Sequence, residues 1–140
     1  MSNGNRPYTR VLEKLRDAGL RPTRQRLALG RLLFENGDRH ITAEQLHGEA
    51  LKDGVRVSLA TVYNTLNQFT ASGLLREINV DPQRCYFDTN TSHHHHFFHE
   101  DEGRLVDIPA EELPVGALPQ PPAGTEVRGV DVVIRVATDR

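Results

Sequence analysis

The chain of 140 residues has a single cysteine, Cys85, and lacks a long apolar stretch. One cysteine excludes a disulfide within the chain and any zinc site built from paired cysteines of one subunit. No apolar run reaches membrane-spanning length and no hydrophobic segment follows Met1, so we expect a soluble, cytoplasmic protein without membrane contact. With 37% hydrophobic residues, this length suits one ordinary domain or two very small ones.

Charge is distributed unevenly along the chain, although the net charge is only −2. Residues 1–79 contain 12 lysines and arginines and 8 acidic residues, whereas residues 80–140 contain 5 and 11. A basic front half suits a polyanionic partner. An acidic back half that also holds five of the seven histidines suits a cation.

The first half of the sequence predicts four helices with clear start and stop signals. The first is expected from Pro7 to Ala18, and Thr23 is the expected N-cap of the second. Thr42 and Gln45 have the spacing of a capping box for the third. The fourth begins at Ser58, and its apolar positions share one buried face: Leu59, Val62, Leu66 and Phe69.

Two short strand-like runs, LLREINV and RCYFDT, follow the fourth helix and are joined by the turn signal DPQR. Helices followed directly by a two-stranded hairpin are typical of a winged helix-turn-helix. Beyond the histidines, RLVDI and EVRGVDVVIRVATD predict two further strands. The four prolines of PVGALPQPPAG predict an extended connection between them.

The fourth helix carries hydrogen-bonding side chains opposite its apolar face. Thr61, Asn64 and Gln68 lie there, and Tyr63 lies at its flank. Such a helix can enter a major groove and contact base edges, although a solvated helix face shows the same pattern. Arginines at the start of the second helix favour DNA, because they can hold phosphates. These are Arg21, Arg24, Arg26 and Arg31.

The segment TSHHHHFFHEDEGRLVD places five histidines and four carboxylates within 17 residues. Imidazole and carboxylate ligands without thiolate suit zinc, ferrous iron or manganese. On a strand, His93 and His95 would face one side and His94 and His96 the other, so the run could supply two sites. A solvated polar loop is the alternative. No motif for a hydrolytic metal site is present, so no catalytic residue is expected.

The segments GLRPTRQR, ITAEQLH, LATVYNTLNQF and the histidine run resemble the ferric uptake regulator superfamily, in order, along nearly the whole chain. The resemblance implies an α+β fold, with a winged helix-turn-helix DNA-binding domain over residues 1–89 and a small α/β dimerisation domain over residues 90–140. It also implies a homodimer that binds a palindromic, AT-rich double-stranded DNA operator.

The same resemblance implies a sensor site for a divalent metal (iron, manganese or zinc). Its ligands would be His40, Asp88, His94, His96 and Asp107. His40 is expected at the start of the third helix and Asp88 at the end of the wing. A second site would keep His93 and His95, but its other ligands fall near Val130 and near Glu111, Glu112 or Pro114, which makes it incomplete.

His99 and Glu102 stand where many members of the family have a structural Cys-x-x-Cys pair. This departure, with the segments RPTRQRLALGRLLF, SHHHHFFHEDEGRLVDIP and GVDVVIRV, resembles the iron response regulator branch. Some members of that branch have a Cys-Pro haem motif, whereas Cys85 here precedes Tyr86. That branch responds to iron through haem, which here would need a histidine ligand. The candidates are His93, His94, His95 and His96, with His94 to His96 preferred.

The combined expectation is a regulator of iron and haem homeostasis that binds its operator when iron is scarce and is released by haem at the histidine run. One alternative is a repressor of the same fold that uses ferrous iron, manganese or zinc as corepressor. Another is a metal-storage or metal-dependent hydrolytic protein that does not bind DNA.

Overall fold

A computed structural model of the chain describes residues 9–139. The chain divides between Thr91 and Ser92 into two compact units, each with its own three-stranded sheet. The described residues form four α-helices and two sheets, which is an α+β fold, as predicted. Within the described residues, no helix combines the length and the apolar character needed to cross a membrane.

The first unit contains four helices and the sheet that forms the wing. Its elements are α1 Thr9–Asp17, α2 Arg24–Phe34, β1 His40–Ile41, α3 Ala43–Lys52, α4 Leu59–Ala71, β2 Arg76–Asp81 and β3 Arg84–Asp88. The predicted start of the first helix at Pro7 lies outside the described residues. The hairpin of β2 and β3 was predicted, and its turn falls at Pro82–Gln83.

Local signals place the helix starts where the sequence predicts them. The Thr23 side chain accepts a hydrogen bond from the Arg26 backbone N–H, and Thr42 and Gln45 form a complete capping box. Each cap satisfies backbone N–H groups that have no partner within the helix. The caps therefore determine the residues at which α2 and α3 begin.

The core of the first unit lies between the four helices and one face of the wing sheet. Leu33, Leu46, Val62, Leu66 and Phe69 are fully buried in it. Burial of a leucine or phenylalanine side chain stabilises a fold by about 1.5–3 kcal/mol. This packing turns the apolar face of α4 inward, so its polar face is directed to solvent.

Strand β1 is a feature that the sequence did not predict. Its two residues pair with the end of β3, with His40 opposite Asp88 and Ile41 opposite Phe87, which makes the wing sheet three-stranded in the order β1-β3-β2. The expectation that His40 opens the third helix is therefore wrong. That helix begins at Ala43, and His40 is held by strand pairing instead.

The second unit is a three-stranded sheet with β4 in the centre. Strand β4 (His94–His99) pairs antiparallel with β5 (Arg104–Pro109) and parallel with β6 (Val133–Val136). A single 3-10 turn, Ala110–Glu112, follows β5, and the proline-rich connection after it contains no helix, as predicted. The last strand spans four residues, so the prediction of a strand over the whole of EVRGVDVVIRVATD is wrong.

Candidate metal centre and nucleic-acid interface

One group of metal-ligating side chains lies at the end of the wing sheet. The Nε2 of His40 is 3.2 Å from the Oδ2 of Asp88, its register partner across β1 and β3. Asp88 is 1% exposed, and its Oδ1 accepts a hydrogen bond from the Asn90 backbone N–H. The contacts with His40 and with the Asn90 N–H therefore fix the orientation of the carboxylate, and hydrogen bonds of this kind orient the ligands of metal ions.

A second group lies on one face of β4 and its neighbour β5. The Nε2 atoms of His94 and His96 are each 3.4 Å from the Oδ1 of Asp107, and the two ring centroids are 4.5 Å apart. Alternation along the strand places the two rings on the same side, as predicted. Both rings are nearly completely buried, whereas the Asp107 side chain is 40% exposed.

The hydrogen bonding of His94 makes this second group suitable for a cation. Its Nδ1 lies 2.6 Å from the Ser92 carbonyl oxygen, which can only accept, so Nδ1 carries the proton. In the neutral ring the Nε2 then presents a lone pair toward the Asp107 carboxylate, which is also an acceptor. A divalent cation binds such electron-pair donors, so the Nε2 of His94 and the carboxylate of Asp107 could both serve as its ligands. The donor set fits zinc, ferrous iron or manganese.

The other two histidines of the run lie together, His95 on β4 and His93 directly before it. The rings of His93 and His95 are 5.1 Å apart in an edge-to-face arrangement. His95 is 1% exposed, and its Nδ1 accepts a hydrogen bond from the Val132 backbone N–H, which ties the start of β6 to β4. His93 is exposed. Its ring is therefore open to an external ligand.

In the turn between β4 and β5, His99 and Glu102 occupy the positions where the family pattern has cysteines. The His99 Nε2 is 3.8 Å from the Glu102 carboxylate, and Glu102 pairs with Arg104. Asp101 accepts from the Thr138 backbone N–H at 2.7 Å, and this bond lowers the pKa of its carboxyl group. In residues 9–139, neither His99 nor Glu111 nor Glu112 joins a cluster of three metal-ligating side chains.

The predicted DNA-contacting residues lie on the exposed side of α4 and at the start of α2. Tyr63, Asn64 and Gln68 are exposed and Thr61 is half-buried. An open groove of about 460 Å³ runs between the two helices. It is lined by Arg21, Thr23, Gln25, Arg26, Thr61, Asn64, Thr65 and Gln68. The arrangement can present side-chain donors and acceptors along one surface.

The four arginines predicted to hold phosphates differ in their surroundings. Arg21 and Arg24 are exposed. The Arg26 guanidinium group instead donates to the Gln68 side chain, and the Nε of Arg31 lies 3.3 Å from the Glu35 carboxylate. Arg21 and Arg24 are therefore the better candidates for phosphate contacts.

Tyr63 has a partner that the sequence did not suggest. Its hydroxyl group donates to the Glu44 carboxylate at 2.7 Å, and this hydrogen bond raises the pKa of Tyr63. Glu44 lies in the first turn of α3, so the pair links α3 to α4. The two residues are 19 positions apart, and no short-range pattern indicates their contact.

Cys85 lies beside a cavity of about 340 Å³ between the wing and the start of α3. Burial, together with the nearby Glu77 carboxylate, raises the pKa of its thiol to about 12. The thiolate is the form that binds metals and attacks electrophiles. The only cysteine of the chain is therefore poorly suited to either role at neutral pH.

Known proteins of the ferric uptake regulator family are similar to most of the chain. Residues 17–117 match the model of the ferric uptake regulator family. The peroxide-responsive repressor PerR of Staphylococcus aureus is 34% identical over 102 residues, which cover 73% of this chain and 68% of that protein.

Solved structures of the family are similar over nearly the whole length. The ferric uptake regulator of Pseudomonas aeruginosa with manganese is 27% identical with a TM-score of 0.69, covering 92% of this chain and 98% of that one. The ferric uptake regulator of Vibrio cholerae is 25% identical with a TM-score of 0.70, covering 90% and 98%. The chain belongs to the ferric uptake regulator family, and it is a metal-responsive, DNA-binding transcription regulator rather than an enzyme.

Proposed function

We propose that the chain regulates genes of iron homeostasis, and that a divalent cation held by His40, Asp88, His94, His96 and Asp107 sets its affinity for an operator. One observation carries this proposal: the His40–Asp88 pair lies in the same three-stranded sheet as the wing. A ligand that alters this pair therefore acts directly on the DNA-binding unit. Cation occupancy and operator binding are coupled through it.

Each of the two groups offers donors of the kind that such a cation takes. His40 and Asp88 offer a nitrogen and an oxygen 3.2 Å apart, and the second group offers two ring nitrogens around one carboxylate oxygen. Neither group alone provides the four or more ligands that zinc, iron or manganese requires. The proposed ligand set therefore takes residues from both groups, as the resemblance to the family implies.

Two relatives support the proposed role of the cation. The Pseudomonas aeruginosa regulator, at 27% identity, was solved with manganese. The Staphylococcus aureus relative is a repressor. These relatives favour a cation that acts as corepressor, so that the loaded form binds the operator. Operator binding by the chelated and the manganese-loaded protein tests this directly.

Haem is the second candidate signal, as the resemblance to the iron response regulator branch implies. An axial ligand needs an exposed nitrogen, and His94, His95 and His96 are at most 4% exposed. They do not fit haem in this conformation, whereas the exposed His93 does. Haem held by His93 would signal that iron has been incorporated into porphyrin. The protein would then bind its operator when iron is scarce, and haem would release the protein from the operator.

A homodimer on a palindromic operator completes the proposal. The outer face of the second sheet carries Phe97 and Val106, which are register partners across β4 and β5 and are 37% and 38% exposed. Ile134 pairs with Phe97 from β6 and extends the same apolar row. An exposed row of this kind favours association with a second copy. A cytoplasmic location follows from a role at DNA.

A further inference from the structure

Arg26 is held against the outward face of α4 by three hydrogen bonds. Its Nε and Nη2 donate to the Gln68 Oε1 at 3.2 and 2.9 Å, and its Nη1 donates to the Arg21 carbonyl oxygen at 2.8 Å. The residues are 42 positions apart, so this is a tertiary contact between α2 and α4. Arg26 as a whole is half-buried, and its hydrogen bonds to Gln68 and Arg21 are exposed to solvent.

This contact fixes the orientation of the Gln68 amide. A guanidinium group can only donate, so the amide atom that faces it must be the oxygen. A carbonyl oxygen has two lone pairs, and two N–H groups of Arg26 already use them. The amide NH2 group is then the part of Gln68 left for other partners. Gln68 is exposed and lines the same groove as Thr61 and Asn64.

A glutamine whose amide oxygen and amide nitrogen are both available recognises adenine, because the oxygen accepts from N6 while the nitrogen donates to N7. A glutamine that can only donate loses this pairing. It matches base edges that offer acceptors alone, namely N7 and O6 of guanine or O4 of thymine.

We propose that Arg26 is a positioning residue, not a phosphate contact, and that it makes Gln68 a donor-only contact to guanine or thymine in the operator. The proposal rests on the proposed contact of α4 with DNA. The Arg26–Gln68 pair would thereby set the base preference at one position of the operator.

The test is an operator-binding scan of the full-length, manganese-loaded protein and four variants: Gln68→Met, Arg26→Met, Arg26→Lys and Arg24→Ala. A duplex is first selected from a random DNA pool, and every base pair is then substituted in turn. Gln68→Met removes both donor and acceptor at nearly constant length. Arg26→Met frees the Gln68 oxygen while it keeps the aliphatic stem. Arg24→Ala removes an exposed charge that is free of this contact and serves as the phosphate-contact comparison.

The wild-type protein is expected to prefer guanine or thymine at one position by on the order of five- to tenfold, and Gln68→Met should abolish that preference. Arg26→Met should shift the base preference at the same position toward adenine. Arg26→Lys should give an intermediate preference, because an ammonium group replaces only part of the hydrogen bonding of Arg26 to the Gln68 oxygen. The slope of log affinity against log salt should stay at the wild-type value in Arg26→Met and become shallower by about 0.9 in Arg24→Ala.

Three outcomes would overturn the proposal: a wild-type preference for adenine at the Gln68-dependent position, no position that depends on Gln68, or a shallower salt slope in Arg26→Met. Thermal unfolding shows whether Arg26→Met folds. If it does not, the wild-type and Gln68→Met scans still decide the base preference. Failure of the wild-type protein to select any sequence would instead contradict the proposed function, so the two failures are distinguishable.

Discussion

The Nε2 of His40 lies 3.2 Å from the Oδ2 of Asp88, and the two residues face each other across β1 and β3 of the wing sheet. A pair of side chains of the kind that ligate metals is thus built into the sheet that also forms the wing. The strand pairing that creates β1 places His40 there, and the neighbouring backbone hydrogen bond from the Thr89 N–H to the Arg39 carbonyl oxygen extends that pairing. A cation bound by the proposed ligands His40 and Asp88 would therefore contact the sheet that forms the wing.

The buried Asp88 carboxylate should stabilise the first unit even without a cation. Asp88→Ala removes the acceptor of the Asn90 N–H and the partner of His40, and it should lower the free energy of unfolding by about 1–3 kcal/mol. Urea unfolding of the chelated protein measures this. Asp139→Ala, which alters an exposed carboxylate, is the control and should change little. Equal stability of the two variants would mean that the Asp88 contacts contribute nothing.

Cation affinity should depend on the buried imidazoles of β4. His94→Ala combined with His96→Ala removes two donors, and we expect manganese affinity to fall by at least about a hundredfold, since loss of outer-shell partners alone costs 10–100-fold. Calorimetric titration of the chelated full-length protein with manganese chloride gives the affinity. His47→Ala is the matched control, because His47 bonds to the Val57 carbonyl oxygen. Unchanged affinity in the double variant would exclude these ligands.

Haem binding, in contrast, should depend on the exposed histidine. His93→Ala should abolish the Soret shift on titration with hemin, because His93 is the member of the run with an open ring. His47→Ala should leave the shift in place. The opposite result is a Soret shift that persists in His93→Ala and disappears when His94 and His95 are replaced. It would support the buried histidines as haem ligands, and β4 would then have to open to admit haem.

Cys85 should resist alkylation in the folded protein. Its pKa is raised to about 12, so at pH 8 only about one molecule in ten thousand carries the thiolate. In the unfolded chain the thiol titrates near pH 9, and the thiolate fraction is about a thousandfold greater. Iodoacetamide labelling at pH 8, followed by mass spectrometry with and without urea, measures the difference. Equally fast labelling in both conditions would show that burial does not suppress the thiolate.

The sequence correctly predicted the elements that depend on residues close to one another in the chain. The caps at Thr23 and Thr42, the apolar face of α4 and the β2–β3 hairpin each depend on residues within a few positions of one another. The α+β class followed from their order. The alternation of His93 to His96 between two faces was also predictable, because it follows from strand geometry alone.

Features that depend on distant residues were missed. Strand β1 exists because His40 and Ile41 pair with residues more than 45 positions away, and two residues carry no periodicity of their own. The last strand was predicted too long because alternating valines favour a strand whether or not a neighbour is present, and β4 pairs with only four residues of it. The Tyr63–Glu44 and Arg26–Gln68 contacts are likewise invisible to local patterns.

Operator affinity of the full-length protein in the chelated, manganese-loaded and haem-loaded forms is the most direct test of the proposed coupling between ligand and DNA. Manganese should strengthen binding by about 5- to 150-fold, the usual range of coupling between two sites, and the effect should disappear when His94 and His96 are both replaced by alanine. Haem should weaken binding through His93. Equal affinity in all three forms would show that neither manganese nor haem is coupled to operator binding.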